Sequence, residues 1–400
     1  MGKNTNFTGQ PVFSQLLKHL PTEKIKSLSR QMGCERYVKH FNTYDHLVSM
    51  LYSTFHHCRS LREVVTGMMA CDSRLGHLGL SDHPKRSTLS DANKRRESSV
   101  FEQIFYLLYK RYGSVLSDSR VRGKMDRRLF IVDSTTITLF QEVLKGGYNS
   151  KANGRRKGGI KAHVLIRADQ DVPCLIQMSR AAASDSPFLK DIHLPEGSVL
   201  VFDRGYKTYE QYQRLDNEGV TWITRRNVQA SVEITQQLDV EAQQQAAGVL
   251  RDEFIILGNA ANKRQLRLNA RQVTYQDNAS GKTFEFFTNN KTMKPSTIAQ
   301  LYERRWQIET LFKRLKQNNQ LTYFLGDNEN AVRIQVWCAM IADLITRIIQ
   351  CKVKRSWSFA NLSSMLRIHL MTYTPLLRFL ENPEKIHQPK SNQLNLFSTA

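Results

Sequence analysis

Leu301–Lys316, LYERRWQIETLFKRLK, is the stretch from which the fold of this chain can be read. Leu301, Ile308, Leu311, Phe312 and Leu315 recur at helical spacing, and neither Gly nor Pro interrupts them. The spacing predicts a helix, part of a longer one over 296–319. Tyr302, Arg305, Glu309 and Lys316 follow one another at steps of three, four and seven residues. Seven residues are almost two turns at about 3.6 residues per turn, so the four side chains are expected on one face. Glu309 would then lie between an Arg and a Lys, with a phenol beside them. A carboxylate so placed suits a metal ion, and the two bases suit phosphates. The plainer reading is a solvated charged face, because Arg–Glu pairs four apart are common on surface helices.

Working upstream, LFIVDSTTITLF (129–140) is an apolar, β-branched run with Asp133 inside it. SVLVFDRGY (198–206) is another, with Asp203 at its end. A carboxylate within a buried strand needs a partner or a metal. IKAHVLIR, VPCLIQMS and VTWIT are further strands, and 207–218 reads as a helix. This order predicts an α/β fold, an RNase H-like mixed sheet flanked by helices. Residues 226–284 interrupt it with strand-like SVEITQQL, EFIILGN, RQLRLNARQVTYQ and TFEFFTNN, a β-rich insertion. Helices over 296–319, 328–353 and 358–371 close the core, and the polar stretch from 382 reads as a disordered tail.

The chain of 400 residues has room for two or three domains. Its 58 basic against 36 acidic residues leave a net charge of +22, which points to a polyanionic partner, nucleic acid before a membrane surface. No basic amphipathic anchor stands out. The 6 cysteines are scattered without a Cys-x-x-Cys pair, against a zinc module or a disulfide framework and in keeping with a reducing cytoplasm. MGKNTNFTG lacks an apolar signal core, and the run Val336–Ile345, broken by Asp343, falls short of the roughly 20 apolar residues of a membrane span.

Residues 11–117 read as all-helical, with Asn42, Ser60 and Ser98 as caps. Among them HPKRSTLSDANKRR (83–96) has the character of a recognition helix. Arg86, Lys94 and Arg95, with Lys85 and Arg96, would meet phosphates, while Ser87, Thr88, Ser90 and Asn93 would reach base edges. A basic solvated helix is the competing reading. Lys145–Arg167 carries seven basic residues and no acid, and its first part, GGYNSKANGRRKGG, reads as a loop or hairpin.

Tyr302-x2-Arg305-x3-Glu309-x6-Lys316 resembles the Tyr-Arg-Glu-Lys signature of insertion-sequence transposases of family four. Asp133-Ser134-Thr135, Asp203-Arg204-Gly205-Tyr206, GGIKAHVLIR and SRAAASDSPFL are each similar to a family counterpart in the expected order. The resemblance spans about residues 125–325. It extends more weakly to the helical leader domain around YVKHF and RSTLSDANKRR, where it implies binding to transposon ends. It implies a DNA transposase that cuts element ends and joins them to target DNA, with Asp133, Asp203 and Glu309 catalytic and holding two Mg²⁺ (or Mn²⁺) ions. Tyr302, Arg305 and Lys316 would hold phosphates beside a displaced base, with Trp222 or Trp306 as stacking candidates against a plain core role.

Lys161, Arg204, Arg155, Arg156 and Arg304 are candidates for backbone contacts, while His163 and His193 read as structural. The expected partners are double-stranded transposon ends and target DNA, with at least a dimer on the DNA because two ends must be joined, no membrane, and a cytoplasmic, nucleoid-associated location. The domain reading is a helical DNA-end-binding domain (1–120), a first part of the core (121–225), the insertion (226–284), a second part with C-terminal helices (285–380) and the tail (381–400). A silent DNA-binding protein and a stand-alone RNase H-like nuclease are the rivals. The intact acids argue against the first, the leader and insertion against the second.

Overall fold

The computed structural model describes residues 9–117, 125–138, 148–149, 156–157, 159–206, 208–258, 266–319, 321 and 323–385. It divides into two compact units, Leu116–Arg333 and the chain on either side of it. Most of the expected basic loop of 146–159, including Arg155, and the tail beyond Lys385 lie outside the described residues.

The flanking unit is helical. Its N-terminal part holds α1 (Val12–Leu17), α2 (Thr22–Gln31), α3 (Thr43–His56), α4 (Leu61–Met69), α5 (Arg86–Arg95) and α6 (Ser98–Leu116). Asn42 caps α3 in a reciprocal capping box with Asp45, and the Ser60 hydroxyl accepts the Glu63 amide at the start of α4. These satisfy amide groups that a helix start leaves without partners. Ser98 is the first residue of α6. In α5, Asn93 is 1% exposed and bonds His46 Nε2 at 2.8 Å through Oδ1. Asn93 therefore cannot reach a base edge, as the sequence reading had it. It is the polar anchor of α5 on α3.

The second unit is built on one sheet of nine strands. It contains β1 (Leu129–Thr138), β2 (Tyr148–Asn149), β3 (Arg156–Lys157), β4 (Gly159–Arg167), β5 (Val172–Arg180), β6 (Val199–Phe202), α7 (Tyr209–Asn217) and β7 (Thr221–Arg225). β8 (Val232–Leu238), α8 (Ala242–Ala246), β9 (Val249–Leu257), β10 (Leu268–Gln276), β11 (Thr283–Thr288), α9 (Pro295–Glu303) and α10 (Trp306–Gln317) follow. The sheet order is β5-β4-β1-β6-β7-β11-β10-β9-β8, and β2 and β3 pair separately. β1 runs antiparallel to β4, and β4 to β5, while β6 lies parallel to both β1 and β7. Three antiparallel strands followed by two parallel ones are the RNase H-like arrangement the sequence predicts. The inserted strands continue the same sheet, because β11 pairs antiparallel with β7 from Phe286↔Arg225 to Thr288↔Ile223.

The C-terminal helices α11 (Glu329–Lys352), α12 (Phe359–His369) and α13 (Leu376–Glu381) follow. From Ile334 onward the chain groups with the N-terminal helices, whereas the sequence reading attached these helices to the second part of the core. The apolar surface explains the grouping. Trp337 of α11 lies against Phe105 of α6, ring centres 5.7 Å apart, and the Arg74 guanidinium donates to the Met371 carbonyl at 2.7 Å. Among the described residues, no helix is long and apolar enough to cross a membrane.

The sequence reading weighed Trp222 as a base-stacking candidate against a plain core role, and the structure gives it the core role. The structure buries it fully beneath the sheet, stacked on Tyr212 with ring centres 4.7 Å apart. Trp222→Ala is expected to cost about 3–5 kcal/mol of unfolding free energy. Urea unfolding followed by intrinsic fluorescence measures this, and a loss below about 1 kcal/mol would contradict a core role.

Candidate active site

β1 and β6 are adjacent and parallel, with Val132 opposite Phe202. The next residue on each chain is an acid, so Asp133 and Asp203 leave the two strands side by side. Asp133 lies within β1, whereas Asp203 follows the last residue of β6. Glu309 comes from the first turn of α10, which packs on β1.

The expected single helix is broken. α9 ends at Glu303 and α10 begins at Trp306, with Arg304 and Arg305 in a turn between them. Through this turn the amides bond three residues back: Arg305 to Tyr302 at 3.0 Å, Gln307 to Arg304 at 3.0 Å and Ile308 to Arg305 at 3.1 Å. Such tightening rotates each successive side chain further than an α-helix does. Tyr302 and Glu309 therefore belong to two helices, and the four residues do not share one continuous stripe. The Tyr302 hydroxyl donates to Asp203 Oδ1 at 3.1 Å. Arg305 points the other way, one terminal nitrogen donating to Asp133 Oδ2 at 2.7 Å and the second to Glu309 Oε1 at 2.6 Å.

Arg305 was expected to fork onto a phosphate clear of the acids. Here its fork joins two of them. The arrangement follows from electrostatics. Burial raises the Asp133 carboxyl to about 6, opposed by Arg305 and the Ser134 amide and reinforced by the charges of Asp203 and Glu309. The guanidinium is the local counter-charge. Burial disfavours its own charge, but Asp133, Tyr302 and Glu309 together raise its pKa. Burial likewise raises the Tyr302 phenol, so it stays a proton donor to Asp203.

The donor set is right for a hard divalent cation: three carboxylates, one of them buried and in need of positive charge. It is not closed on a single point. Among the described residues, Asp72, Asp82 and His83 alone bring three possible ligand atoms within 4.8 Å of one another. That group is a surface cluster of ion contacts, with Asp72 and Asp82 exposed. The Arg305 guanidinium lies between the Asp133 and Glu309 carboxylates.

A fourth acid escaped the sequence reading. Asp185 Oδ1 accepts the Ser134 hydroxyl at 2.8 Å and lies 3.1 Å from Lys161 Nζ and 3.5 Å from His163 Nδ1. The Ser134 amide in turn donates to Asp133 Oδ1 at 2.8 Å. Asp185 thus braces the strand segment that carries Asp133. Its only signal in the sequence was its place in SRAAASDSPFL, one acid among 36. Lys161, expected at the DNA backbone, also donates to the Ala183 carbonyl at 2.6 Å, so its ammonium is engaged within the fold.

His163 bonds Ser179 Oγ at 2.8 Å, the structural role expected of it, and His193 is exposed. Arg204 is exposed next to Asp203, Arg304 meets Asp126 at 3.3 Å, and Lys316 lies in the last turn of α10, where burial lowers its pKa. Trp306, 65% exposed, opens α10. Arg86, Lys94 and Arg95 are exposed on α5 in the helical unit.

The Transposase DDE domain family matches residues 124–343, more than half the chain and the whole of this acid site. The chain belongs to that family. This transposase also matches, over residues 8–81, a family described as a domain of unknown function (DUF4372). It is 32% identical over 265 residues to y4zB, a protein of Sinorhizobium fredii named as a transposase, covering 66% of this chain and 71% of the relative. It is 25% identical to a protein of Synechocystis named as a transposase for insertion sequence element IS4SA, over 66% of this chain and 71% of the relative. A solved structure of a piggyBac transposase synaptic complex with hairpin DNA overlaps 95% of this chain and 81% of that one at TM-score 0.42 and 7% identity, a likeness on which nothing here is built. The chain is a DNA transposase, an enzyme of divalent-metal-dependent phosphodiester cleavage and strand transfer.

The raised Asp133 carboxyl has a sign that can be worked out. Its folded value of about 6 lies above the ordinary 3.8, so its contribution to stability is fully present below about 3.8 and is lost as the pH rises through about 6. Asp133→Asn in metal-free buffer is therefore expected to raise unfolding free energy at pH 7 by roughly 1–3 kcal/mol, the range a shift of this size allows. The gain should vanish near pH 4. Denaturant melts of both proteins between pH 4 and 7 measure it, and a gain independent of pH would rule out the carboxyl as its source.

Proposed function

We propose that this DNA transposase belongs to the insertion-sequence family four group and that Asp133, Asp203 and Glu309 are its catalytic acids. The observation that carries the reading is the neighbouring pair of acids, Asp133 within β1 and Asp203 just after the parallel β6, with Arg305, from the turn before α10, bridging Asp133 to Glu309. Divalent ions held there, two of Mg²⁺ or Mn²⁺, would activate the attacking oxygen and stabilise the leaving one. Tyr302 keeps Asp203 oriented through its hydroxyl. Asp185 holds Ser134, and so Asp133, in register. With cations held by the acids, the planar fork of Arg305 would be available to a DNA phosphate, with Lys316 as a point charge further along α10. Trp306 is available to stack on a displaced base, a role closed to Trp222. Arg204 on the exposed edge beside Asp203, and Arg86, Lys94 and Arg95 on α5, contact the DNA backbone. The partners are the duplex ends of the element and the target DNA. Two ends must be brought together, so the working form is at least a dimer, in the cytoplasm on the nucleoid.

A supercoiled plasmid carrying the element ends tests the assignment. Wild-type protein is expected to nick it with Mg²⁺ or Mn²⁺ and not with EDTA. Asp133→Ala, Asp203→Ala and Glu309→Ala should each reduce nicking below detection while end binding in a mobility-shift titration survives. Full nicking by any one of them would remove that residue from the site.

The position of Arg305 makes a separate demand. Arg305→Ala leaves the acids without their internal counter-charge, so the metal-free variant should melt below wild type. Its rise in melting temperature on saturating Mn²⁺ should exceed that of wild type, because no guanidinium has to leave. Thermal melts with and without Mn²⁺ give both quantities, and equal rises in the two proteins would show that Arg305 does not compete with the ion.

A further inference from the structure

Tyr37 is the least expected residue of the helical unit. Its ring is 87% exposed, and its backbone lies in the left-handed region at φ 63°. For a residue with a side chain that conformation is unfavourable. Burial of the ring would offset such a cost, and here there is none. Glycine would relieve it. Strain without local compensation is a pointer to function.

The loop that carries Tyr37 is firmly held. At its start, Gly33 takes φ 71° and the Cys34 amide returns to the Ser29 carbonyl of α2 at 2.9 Å. In its middle, Glu35 Oε1 accepts the first amide of α3, that of Thr43, at 2.9 Å. At its end, Arg96, the residue that closes α5, donates to the Phe41 carbonyl at 2.6 Å and lies over the Phe41 ring. Loop and α5 are thus tied into one platform. Between them is an open cleft of about 610 Å³, to which the loop gives Arg36, Tyr37 and Lys39 and α5 gives Thr88 and Arg95. Asp91 and Glu97 are its acids. The Arg36 guanidinium sits 5.0 Å from the centre of the Tyr37 ring, so cation and ring are offered to solvent together.

We infer that the loop of residues 33–41 is a second DNA-contacting element, which clamps one strand of the duplex against α5. Arg36, Lys39 and Arg95 take phosphates, and Tyr37, backed by Arg36, lies against a sugar or base face. Stacking on an aromatic ring tolerates any base, and the cations add a term that depends on salt. The left-handed backbone turns the ring out into the cleft mouth, where an extended backbone would lay it along the loop. This inference rests on the reading of the helical leader, YVKHF and α5 included, as DNA-facing and adds to it the cleft between loop and helix as the place where one strand is held and Tyr37 as the residue that meets it.

The test uses the full-length protein and a labelled duplex cut from the DNA flanking the gene, titrated by fluorescence anisotropy at several salt concentrations. Tyr37→Gly removes the ring and relieves the backbone. It should melt at or above the wild-type temperature and bind about tenfold more weakly. Tyr37→Phe should bind as wild type. Arg36→Ala with Lys39→Ala should lower the slope of log affinity against log salt by between one and two. An Arg86→Ala, Lys94→Ala, Arg95→Ala variant is titrated alongside. If it binds weakly while Tyr37→Gly binds as wild type, the clamp is wrong and α5 stands. If neither variant loses affinity, the helical unit does not hold DNA through this face and both readings fail. Loss of self-association in Tyr37→Gly by light scattering, at unchanged DNA affinity, would assign the loop to a protein contact and also overturn the clamp.

Discussion

The bridge from Arg305 to Asp133 and Glu309 is the contact around which the catalytic unit is arranged. Like-charged carboxylates beside one another repel, and burial adds a desolvation cost to Asp133. Without positive charge among them the cheapest outcome is protonation, which is the direction in which Asp133 is driven. A guanidinium with two hydrogen-bonding edges answers both acids at once from a side chain 18% exposed. It reaches them because the chain breaks between α9 and α10. In an unbroken helix Arg305 would stay beside Glu309, with its fork directed along the helix.

That break has to be held from both ends. Tyr302 fixes the α9 side by its bond to Asp203 and by its ring, 4.8 Å from that of Phe286 on β11. Near the far end of α10, Arg314 donates to the Asp171 carboxylate at 2.5 Å and to its carbonyl at 2.9 Å. Asp171 sits in the turn between β4 and β5, in left-handed backbone at φ 54°. With α9 held at β11 and α10 at β1 and the β4–β5 turn, neither helix has much freedom to slide, and Glu309 keeps its place relative to Asp133 and Asp203. The inserted strands matter here, since β11 both extends the sheet and supplies the aromatic ring under Tyr302.

Further out, the same sheet depends on a buried Arg271–Asp252 pair between β10 and β9, each side chain 5% exposed. Arg271 also donates to the Met293 carbonyl at 2.7 Å, so this pair ties the insertion to the segment that leads into α9. Buried pairs of this kind contribute little net stability but are costly to break. Here they fix the path by which the insertion hands the chain on to α9 and α10.

Local pattern alone determined much of this protein. Alternation and β-branching placed β1, β4, β5, β6 and β7, because a half-buried strand must repeat every two residues whatever surrounds it. Capping chemistry placed the starts of α3 and α4, since Asn42 and Ser60 act within a single turn. Asp133, Asp203 and Glu309 could be singled out because motif order survives without coordinates, and the structure puts the first two after paired positions of β1 and β6 and joins Asp133 to Glu309 through Arg305. What tertiary structure decided has a range longer than one element. Asn93 looks like a DNA-facing residue in a string of letters, and Trp222 fits either a stacking or a core role; only packing shows both buried. Lys161 was a free cation until Asp185, 24 residues on, came to rest beside it. The helical period put Tyr302, Arg305, Glu309 and Lys316 on one stripe. The pull of Asp203 on the phenol and of Asp133 on the guanidinium, across about 100 and 170 residues of chain, accompanies a break that no local spacing encodes.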